Sequence, residues 1–251
     1  MSILAQTDLR RPVRETLPTM YDLPSEESGG PGPPDEFHFH QAVLLNETFR
    51  PTTVSSDEVF TATGLYSHYD PHWHDRPDWF AIIGVPNLYE GRDLRLSQIV
   101  WQKGITPLIV VEMPSPQAEI EEMGQVLRTV SGPPTKWEVY GQILGVPYYA
   151  VFNRDADELR IFKLSEVGYA ELIGNDGRFW IPEAGLGLGV WRGVYKGPER
   201  LWLRWYDAQG LWIPTPEERA EQEHQRAEQE HQRAERLAEM LRQLGHDPNQ
   251  L

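Results

Sequence analysis

One short run of residues, LIVVEM at 108–113, limits the possible folds more than any other feature of this chain. It is apolar until Glu112, which is the pattern of a central β-strand covered on both faces. Two further β-type runs, EVFTATGL at 58–65 and WFAIIGV at 79–85, come before it. The chain is therefore expected to contain a layered domain built on a sheet.

Helical patterns flank these strands. Residues 35–49 are compatible with a short helix, and residues 135–145 begin with Thr135 and Glu138, a capping-box pair, and end at a glycine. Two more strands are predicted at 148–152 and 159–164. Because a helix lies between apolar strands, we predict a fold of the α/β to α+β class, with a mixed sheet flanked by helices.

The chain divides into three parts by composition. A Pro- and Gly-rich cluster marks residues 1–34 as an irregular lead-in, and residues 35–215 are expected to form the main domain. After Pro216 the heptad RAEQEHQ occurs twice in succession, at 219–225 and 226–232. A strict seven-residue repeat indicates a coiled-coil-like helix, which we predict for residues 216–251.

The tail allows two interpretations. One core position of the repeat holds alanines and a leucine, and the other changes from glutamate to leucine along the helix, at Glu223, Glu230, Leu237 and Leu244. Only the last part of this seam is apolar. The tail is thus either a solvated helix rich in Glu/Arg pairs or a coiled coil that forms a homo-oligomer.

Composition excludes several classes of protein. The chain has no cysteine, so disulfides, thiolate metal sites and cysteine nucleophiles are absent. It contains no run of 18 apolar residues, which predicts no membrane span, and its first residues lack the apolar core of a signal peptide. We therefore expect a cytoplasmic protein. The net charge of −15 argues against a large basic surface, but it does not exclude a nuclease whose metal ions supply positive charge.

Two carboxylates stand at the boundaries of apolar strands. Asp78 precedes the run WFAIIGV, and Glu112 closes LIVVE. On neighbouring strands they would form the oxygen-rich site that Mg²⁺ prefers, whereas separately they would be strand-end residues facing solvent. Lys136, at the first position of a predicted helix, is disfavoured by the helix dipole. It either answers a nearby carboxylate or phosphate or is exposed, and Tyr140 lies one turn along the same face.

The order of these motifs resembles a known family. The matching residues are Pro77-Asp78, then Glu112-Met113-Pro114-Ser115, then Lys136 with Tyr140, then Gly145-Val146-Pro147-Tyr148-Tyr149. Together, over residues 35 to 195, they resemble the restriction endonuclease family labelled Uma-two (Uma2), a bacterial branch of the PD-(D/E)XK nuclease superfamily.

This resemblance implies a restriction-endonuclease-like fold and a metal-dependent endonuclease, a hydrolase that cleaves DNA phosphodiester bonds. It implies Asp78, Glu112 and Lys136 as catalytic residues, with Asp78 and Glu112 binding Mg²⁺ or Mn²⁺. The chain departs from the pattern at Pro114, where the superfamily usually has its lysine, and at Asn153, where the family strand often ends in aspartate. An alternative is therefore a catalytically inactive nuclease-like fold that acts as an interaction or oligomerisation module.

Two other segments carry ligand-type or phosphate-loop-type residues. Residues 70–75, DPHWHD, are interpreted as a polar surface loop, with a Zn²⁺ or Ni²⁺ site at His72 and His74 as the alternative. The glycine-rich residues 185–189 are interpreted as a loop or a bulged strand, because no helix follows them. The tryptophans after residue 179 have a spacing that favours packing within a small β-region over base stacking.

Overall fold

A computed structural model describes residues 36–70, 73–89, 91–99, 106–114, 134–154, 156–174 and 176–244 of the chain. The predicted lead-in, residues 1–34, lies outside these ranges. The chain forms two compact units, Met1–Ile213 and Pro214–Leu251.

Besides one short 3-10 helix, Ser56–Glu58, the structure describes three helical segments and twelve strands. The helices are α1 (Glu36–Thr48), α2 (Lys136–Glu138), which continues as a π-helix (Val139–Ile143), and α3 (Pro216–Gln243). The strands are β1 (Val59–Ala62), β2 (Ser67–Asp70), β3 (Trp73–Asp75), β4 (Trp79–Ile83), β5 (Gln98–Ile99), β6 (Ile109–Glu112), β7 (Tyr148–Asn153), β8 (Glu158–Ser165), β9 (Gly168–Glu171), β10 (Arg178–Ile181), β11 (Leu186–Val194) and β12 (Glu199–Tyr206).

The main sheet has six strands in the order β1-β4-β6-β7-β8-β9. Its β6 and β7 are parallel, while the other neighbours are antiparallel. A parallel pair needs a crossover connection, and the chain between β6 and β7 includes α2 and the π-helix. The predicted mixed sheet of an α+β protein is confirmed, and β6 is buried along its whole length, as its apolar run predicts.

The two faces of this sheet carry separate hydrophobic cores. Ile109 and Val111 of β6 face one core, which also contains residues of α1 and of β10–β12. Val110 faces the other core together with Tyr140 of the π-helix. Alternation along β6 therefore assigns Glu112, two residues after Val110, to the face covered by the π-helix.

A second sheet, β10-β11-β12, corrects one expectation. Residues 186–194 form a regular strand in continuous register with both neighbours, so the interpretation of 185–189 as a loop or bulged strand is wrong. Gly187 stands opposite Tyr206, and an added Cβ would lie 1.9 Å from that ring. The glycine thus gives the tyrosine ring room to lie against the strand.

A third sheet, β3-β2-β5, corrects a second expectation from the sequence. Residues 67–70 and 73–75 are antiparallel strands that pair His68 with His74, so the segment interpreted as a polar loop is largely a β-ribbon. The ring of His74 packs against Tyr66 at 4.5 Å between centroids and against His68 at 5.1 Å. His72 lies outside the described residues.

In the second unit the structure describes α3, which confirms the predicted tail helix over residues 216–243, while residues 245–251 lie outside the described ranges. It begins with a capping box formed by Thr215 and Glu218, and none of its residues is buried. Within the described residues, no helix has the length and apolar character that a membrane span requires.

Candidate functional site

Strand register brings Asp78 and Glu112 together. In the antiparallel pair β4–β6, Trp79 stands opposite Val111. One step further along the same register, Asp78 stands opposite Glu112, and opposed residues project from the same face. The backbone N–H of Met113 donates to Asp78 Oδ2 at 2.7 Å, and the N–H of Asp78 donates to Glu112 Oε2 at 3.4 Å.

The crossover helix adds a cation. α2 begins at Lys136, after an N-cap at Thr135 whose capping box with Glu138 is present, as predicted. Lys136 Nζ lies 2.9 Å from Glu112 Oε2. Its unfavourable position at a helix N-terminus is therefore offset by an ion pair with a carboxylate on the sheet.

Tyr140 provides a second donor to the same carboxylate. Its hydroxyl donates to Glu112 Oε1 at 2.5 Å and is also within hydrogen-bonding distance of Asp75 Oδ2. Burial of the side chain, together with the negative carboxylates of Asp75 and Glu112, raises the pKa of Tyr140 well above its usual value of 10.0. Tyr140 is thus a protonated donor at neutral pH.

Glu112 is the electrostatic centre of the site. It is only 1% exposed, and a buried carboxylate is unfavourable unless it is paired and hydrogen-bonded. Lys136 and the Asp78 amide contact one oxygen, and Tyr140 contacts the other. Asp78 itself is partly exposed, so the pair of carboxylates opens toward solvent on the Asp78 side.

The donor set matches a hard divalent cation. Mg²⁺ is commonly bound through one or two carboxylates, with water and substrate phosphates completing its octahedron. Asp78 and Glu112 supply two such carboxylates. In the parts of the chain that the structure describes, no group of three or more His, Asp or Glu side chains is arranged to hold a metal. Solvent or substrate oxygens would therefore have to supply the remaining ligands.

The structure brings all three predicted site residues, Asp78, Glu112 and Lys136, to one end of the main sheet. Asn153, which stands where the family often has aspartate, accepts a hydrogen bond from the N–H of Ala156 at 2.9 Å and so caps the turn after β7. Ser115, the last residue of the Glu112 motif, lies outside the described residues.

Sequence reasoning missed Asp75. This residue comes from β3 of the third sheet, and it contacts the site through Tyr140. Its position three residues before Asp78 was the available signal, because a short strand and a bend can return the chain to the same place. The density of His and Asp around it favoured a surface loop instead.

A comparison with models of protein families agrees with the resemblance seen in the sequence. The model of the Uma2 family, described as "Putative restriction endonuclease", matches residues 16–195, a range that includes every residue of the site. A crystal structure of "a putative nuclease belonging to DUF820" from Anabaena variabilis is 11% identical, with a TM-score of 0.42, and the match covers 61% of this chain and 75% of that chain. No curated protein matches the chain.

Proposed function

The chain belongs to the Uma2 family, and from this premise we propose that residues 35–215 form a metal-dependent endonuclease domain that hydrolyses DNA phosphodiester bonds. The observation that supports the proposal most is the meeting of Asp78, Glu112 and Lys136 at one end of adjacent strands. A DNA substrate agrees with the cytoplasmic location expected from the sequence.

In this proposal Asp78 and Glu112 hold Mg²⁺ or Mn²⁺. A bound cation of this kind lowers the pKa of water and stabilises negative charge on a phosphate in transition. The carboxylates are fixed for this task by their backbones, because Asp78 directly precedes β4 and Glu112 ends β6, and these two strands are paired. Such rigid placement limits the reorganisation that binding requires.

Lys136 acts beside the carboxylates. Its ammonium group is a compact cation with three donors, suited to orienting a water molecule or to stabilising charge that develops on a phosphoryl oxygen. It is 25% exposed, so it can reach a substrate without leaving Glu112. Tyr140 holds the second oxygen of Glu112 and fixes the orientation of that carboxylate.

The tail supports a second candidate function. α3 buries none of its residues, and apolar side chains are exposed at Leu237 and Met240 in its last part and at Leu244 just after it. A family member that lacks activity could serve as an interaction module that oligomerises through this helix. The departure from the family pattern at Asn153 and the acidic net charge of −15 favour this candidate.

Cation binding and DNA nicking test the proposal together. We would titrate Mg²⁺ and Mn²⁺ into the wild type, D78N, E112Q and the double variant by calorimetry, and then incubate the same samples with supercoiled plasmid. Glu166→Gln, an exposed residue in the turn between β8 and β9, is the matched control. Isosteric amides preserve the packing while removing the charge that holds the cation.

We expect the wild type and E166Q to bind the cation and nick the plasmid. D78N and E112Q should each lose nicking activity by at least about 100-fold, in the range seen when a group that stabilises transition-state charge is removed. Equal nicking by the wild type and the double variant would reject the proposal. If neither the wild type nor any variant binds the cation or nicks the plasmid, the interaction module would be favoured.

A further inference from the structure

The hydroxyl of Tyr140 lies between two acceptors. Glu112 Oε1 is 2.5 Å away, and Asp75 Oδ2 is also in hydrogen-bonding contact. A phenol has one proton to donate, so only one carboxylate can receive it at a time. Since Tyr140 is fully buried, no solvent molecule has to be displaced when the proton turns from one acceptor to the other.

Asp75 is built to be an acceptor. Its Oδ1 receives the backbone N–H of Arg76 at 2.8 Å, and its Oδ2 faces Tyr140. Each oxygen therefore already has a donor within the protein. Asp75 also belongs to no described group of three or more metal-binding side chains, which argues against a role as a third ligand.

Glu112 has a different task from Asp75. Its Oε2 is shared with Lys136, and its Oε1 is occupied by the Tyr140 hydroxyl. A carboxylate oxygen that accepts a hydrogen bond offers less negative charge to a cation. Cation binding at Oε1 is therefore favoured when the hydroxyl turns to another acceptor, which the buried donor needs because an unpaired one is unfavourable.

We propose that Asp75 is a positioning residue that draws the Tyr140 hydroxyl away from Glu112 and so frees Glu112 Oε1 for a divalent cation. The proposal rests on the proposed function, since it adds a further residue, Asp75, to the same cation site. Before the cation binds, the hydroxyl donates to Glu112 and keeps that carboxylate satisfied. Afterwards it donates to Asp75, so that the buried site has a paired donor in both states.

Substitution of Asp75 tests the proposal in the full chain. D75N keeps the size of the side chain but replaces a carboxylate with a weaker amide acceptor, so the hydroxyl should stay with Glu112. We expect Mn²⁺, measured by calorimetry, to bind D75N about tenfold more weakly than the wild type, at the low end of effects seen for groups one shell from a metal.

Removal of the hydroxyl should abolish this effect. Y140F offers no proton to either carboxylate, so D75N/Y140F should bind Mn²⁺ as Y140F does. D93N is the matched control for charge, because Asp93 Oδ1 also accepts the next backbone N–H, that of Leu94, at 2.8 Å. This variant removes one negative charge as D75N does, and it should bind Mn²⁺ as the wild type does.

Thermal melts in EDTA provide a second readout that does not depend on the cation. The wild type, D75N, Y140F and D75N/Y140F form a double-mutant cycle. The stability effects of residues 75 and 140 should be coupled, because the two side chains share a hydrogen bond. Absence of coupling would overturn the proposal. So would a D75N effect on Mn²⁺ affinity of the same size in the presence and absence of the Tyr140 hydroxyl, since Asp75 would then act by its charge alone.

Failure of this inference differs from failure of the proposed function. If the wild type binds Mn²⁺ and D75N binds it with the same affinity, the role of Asp75 is rejected but the proposed metal site is not. A wild type that binds no Mn²⁺ would reject the proposed metal site, and the release of Glu112 with it, whatever the melts show.

Discussion

Glu112 depends on Lys136 more than a surface carboxylate depends on its partner. Its side chain is 1% exposed, whereas that of Lys136 is 25% exposed, and their charged atoms are 2.9 Å apart. Removal of the ammonium group would take this cation away from a buried negative charge. Such a change is expensive because the remaining charge cannot recover its hydration.

We therefore predict that K136M lowers the free energy of unfolding by about 1–3 kcal/mol in EDTA, a range reduced for the partial exposure of the lysine. Urea unfolding would measure it. K163M is the matched control, because Lys163 lies 3.6 Å from Glu183 in a pair that is 45% and 42% exposed, and it should cost less than about 1 kcal/mol. Equal losses in the two variants would contradict the prediction. K136M/E112Q should recover part of the loss.

The sequence predicted some site residues better than others for a physical reason. Asp78 and Glu112 stand out because a charge beside an apolar run is unfavourable unless it has a partner. Lys136 stands out because it opposes a helix dipole. Asp75 gives no such signal, since it sits in a polar segment where a carboxylate is unremarkable. Its role depends on a tertiary contact with Tyr140, which periodicity does not encode.

At the scale of elements, the crossover helix shows what local patterns leave out. The capping box at Thr135 and the glycine at 145 predicted one helix, and the segment is helical from Lys136 to Ile143. From Val139 onward, however, it is a π-helix, in which the N–H of Leu144 donates to the carbonyl of Val139 at 2.8 Å. Capping residues and a terminal glycine indicate where a helix begins and ends. They do not indicate whether its hydrogen bonds follow the α- or the π-helical pattern, which depends on tertiary packing.

The β8–β9 hairpin gives a prediction about pH. Arg160 donates to both carboxylate oxygens of Glu171, at 2.8 and 2.7 Å. The hydrogen bond from Arg160 lowers the pKa of Glu171 below its usual 4.5, against a smaller opposing effect of burial. A carboxyl whose pKa is lower in the folded state adds stability above its unfolded pKa, and this stability is lost as the pH falls through the folded pKa.

We expect R160M to destabilise the protein by up to about 1 kcal/mol at pH 7, since the pair is partly exposed. Arg160 also lies over the ring of Phe162 at 5.1 Å, and the loss of that contact should not depend on pH. Thermal melts at pH 7 and pH 3 would separate the two parts, because the difference between wild type and R160M should shrink at pH 3. A difference of equal size at both pH values would mean that the ion pair contributes nothing.

At the scale of the whole molecule, the net charge of −15 has to be reconciled with a DNA substrate. Two arginines pack on Phe37, which belongs to the core on the other face of the main sheet from Glu112. The guanidinium carbons of Arg154 and Arg200 lie 5.4 and 4.2 Å from the ring centre of Phe37. The next residue, His38, places Nε2 2.8 Å from the carbonyl of Met113, which follows Glu112. The arginines thus lie at the end of the main sheet where Glu112 stands, but beside the core of its opposite face.

We predict that these arginines contact DNA phosphates. R154Q/R200Q should weaken binding of a labelled duplex, and the slope of log K against log salt should fall by about 2, because each phosphate contact contributes about 0.9. Fluorescence anisotropy between roughly 50 and 200 mM salt, the range in which such contacts change affinity strongly, would measure it. R226Q/R233Q, two arginines of the heptad repeat, removes the same charge and should leave the slope unchanged. An unchanged slope in R154Q/R200Q would reject the contacts.

The tail gives a prediction about assembly. Leu237 and Met240 of α3 and Leu244, which follows it, are 50%, 51% and 74% exposed. Exposure of three large apolar side chains to water is unfavourable unless a partner covers them. We expect the full chain to form a homo-oligomer, whereas a 1–215 variant and L237S/L244S should be monomers. Size-exclusion chromatography with light scattering would report the masses. A monomeric full chain would leave the tail as a solvated helix.

The charge balance around Glu112 also bears on how a lineage of such proteins can change. The carboxylate is satisfied by Lys136, Tyr140 and the Asp78 amide, all from the chain itself. Folding therefore does not depend on a bound cation, and a substitution of the Asp78 side chain would remove a ligand of the proposed site while the domain persists. A descendant that lost the proposed activity in this way would keep a stable scaffold, which selection could recruit for a different task.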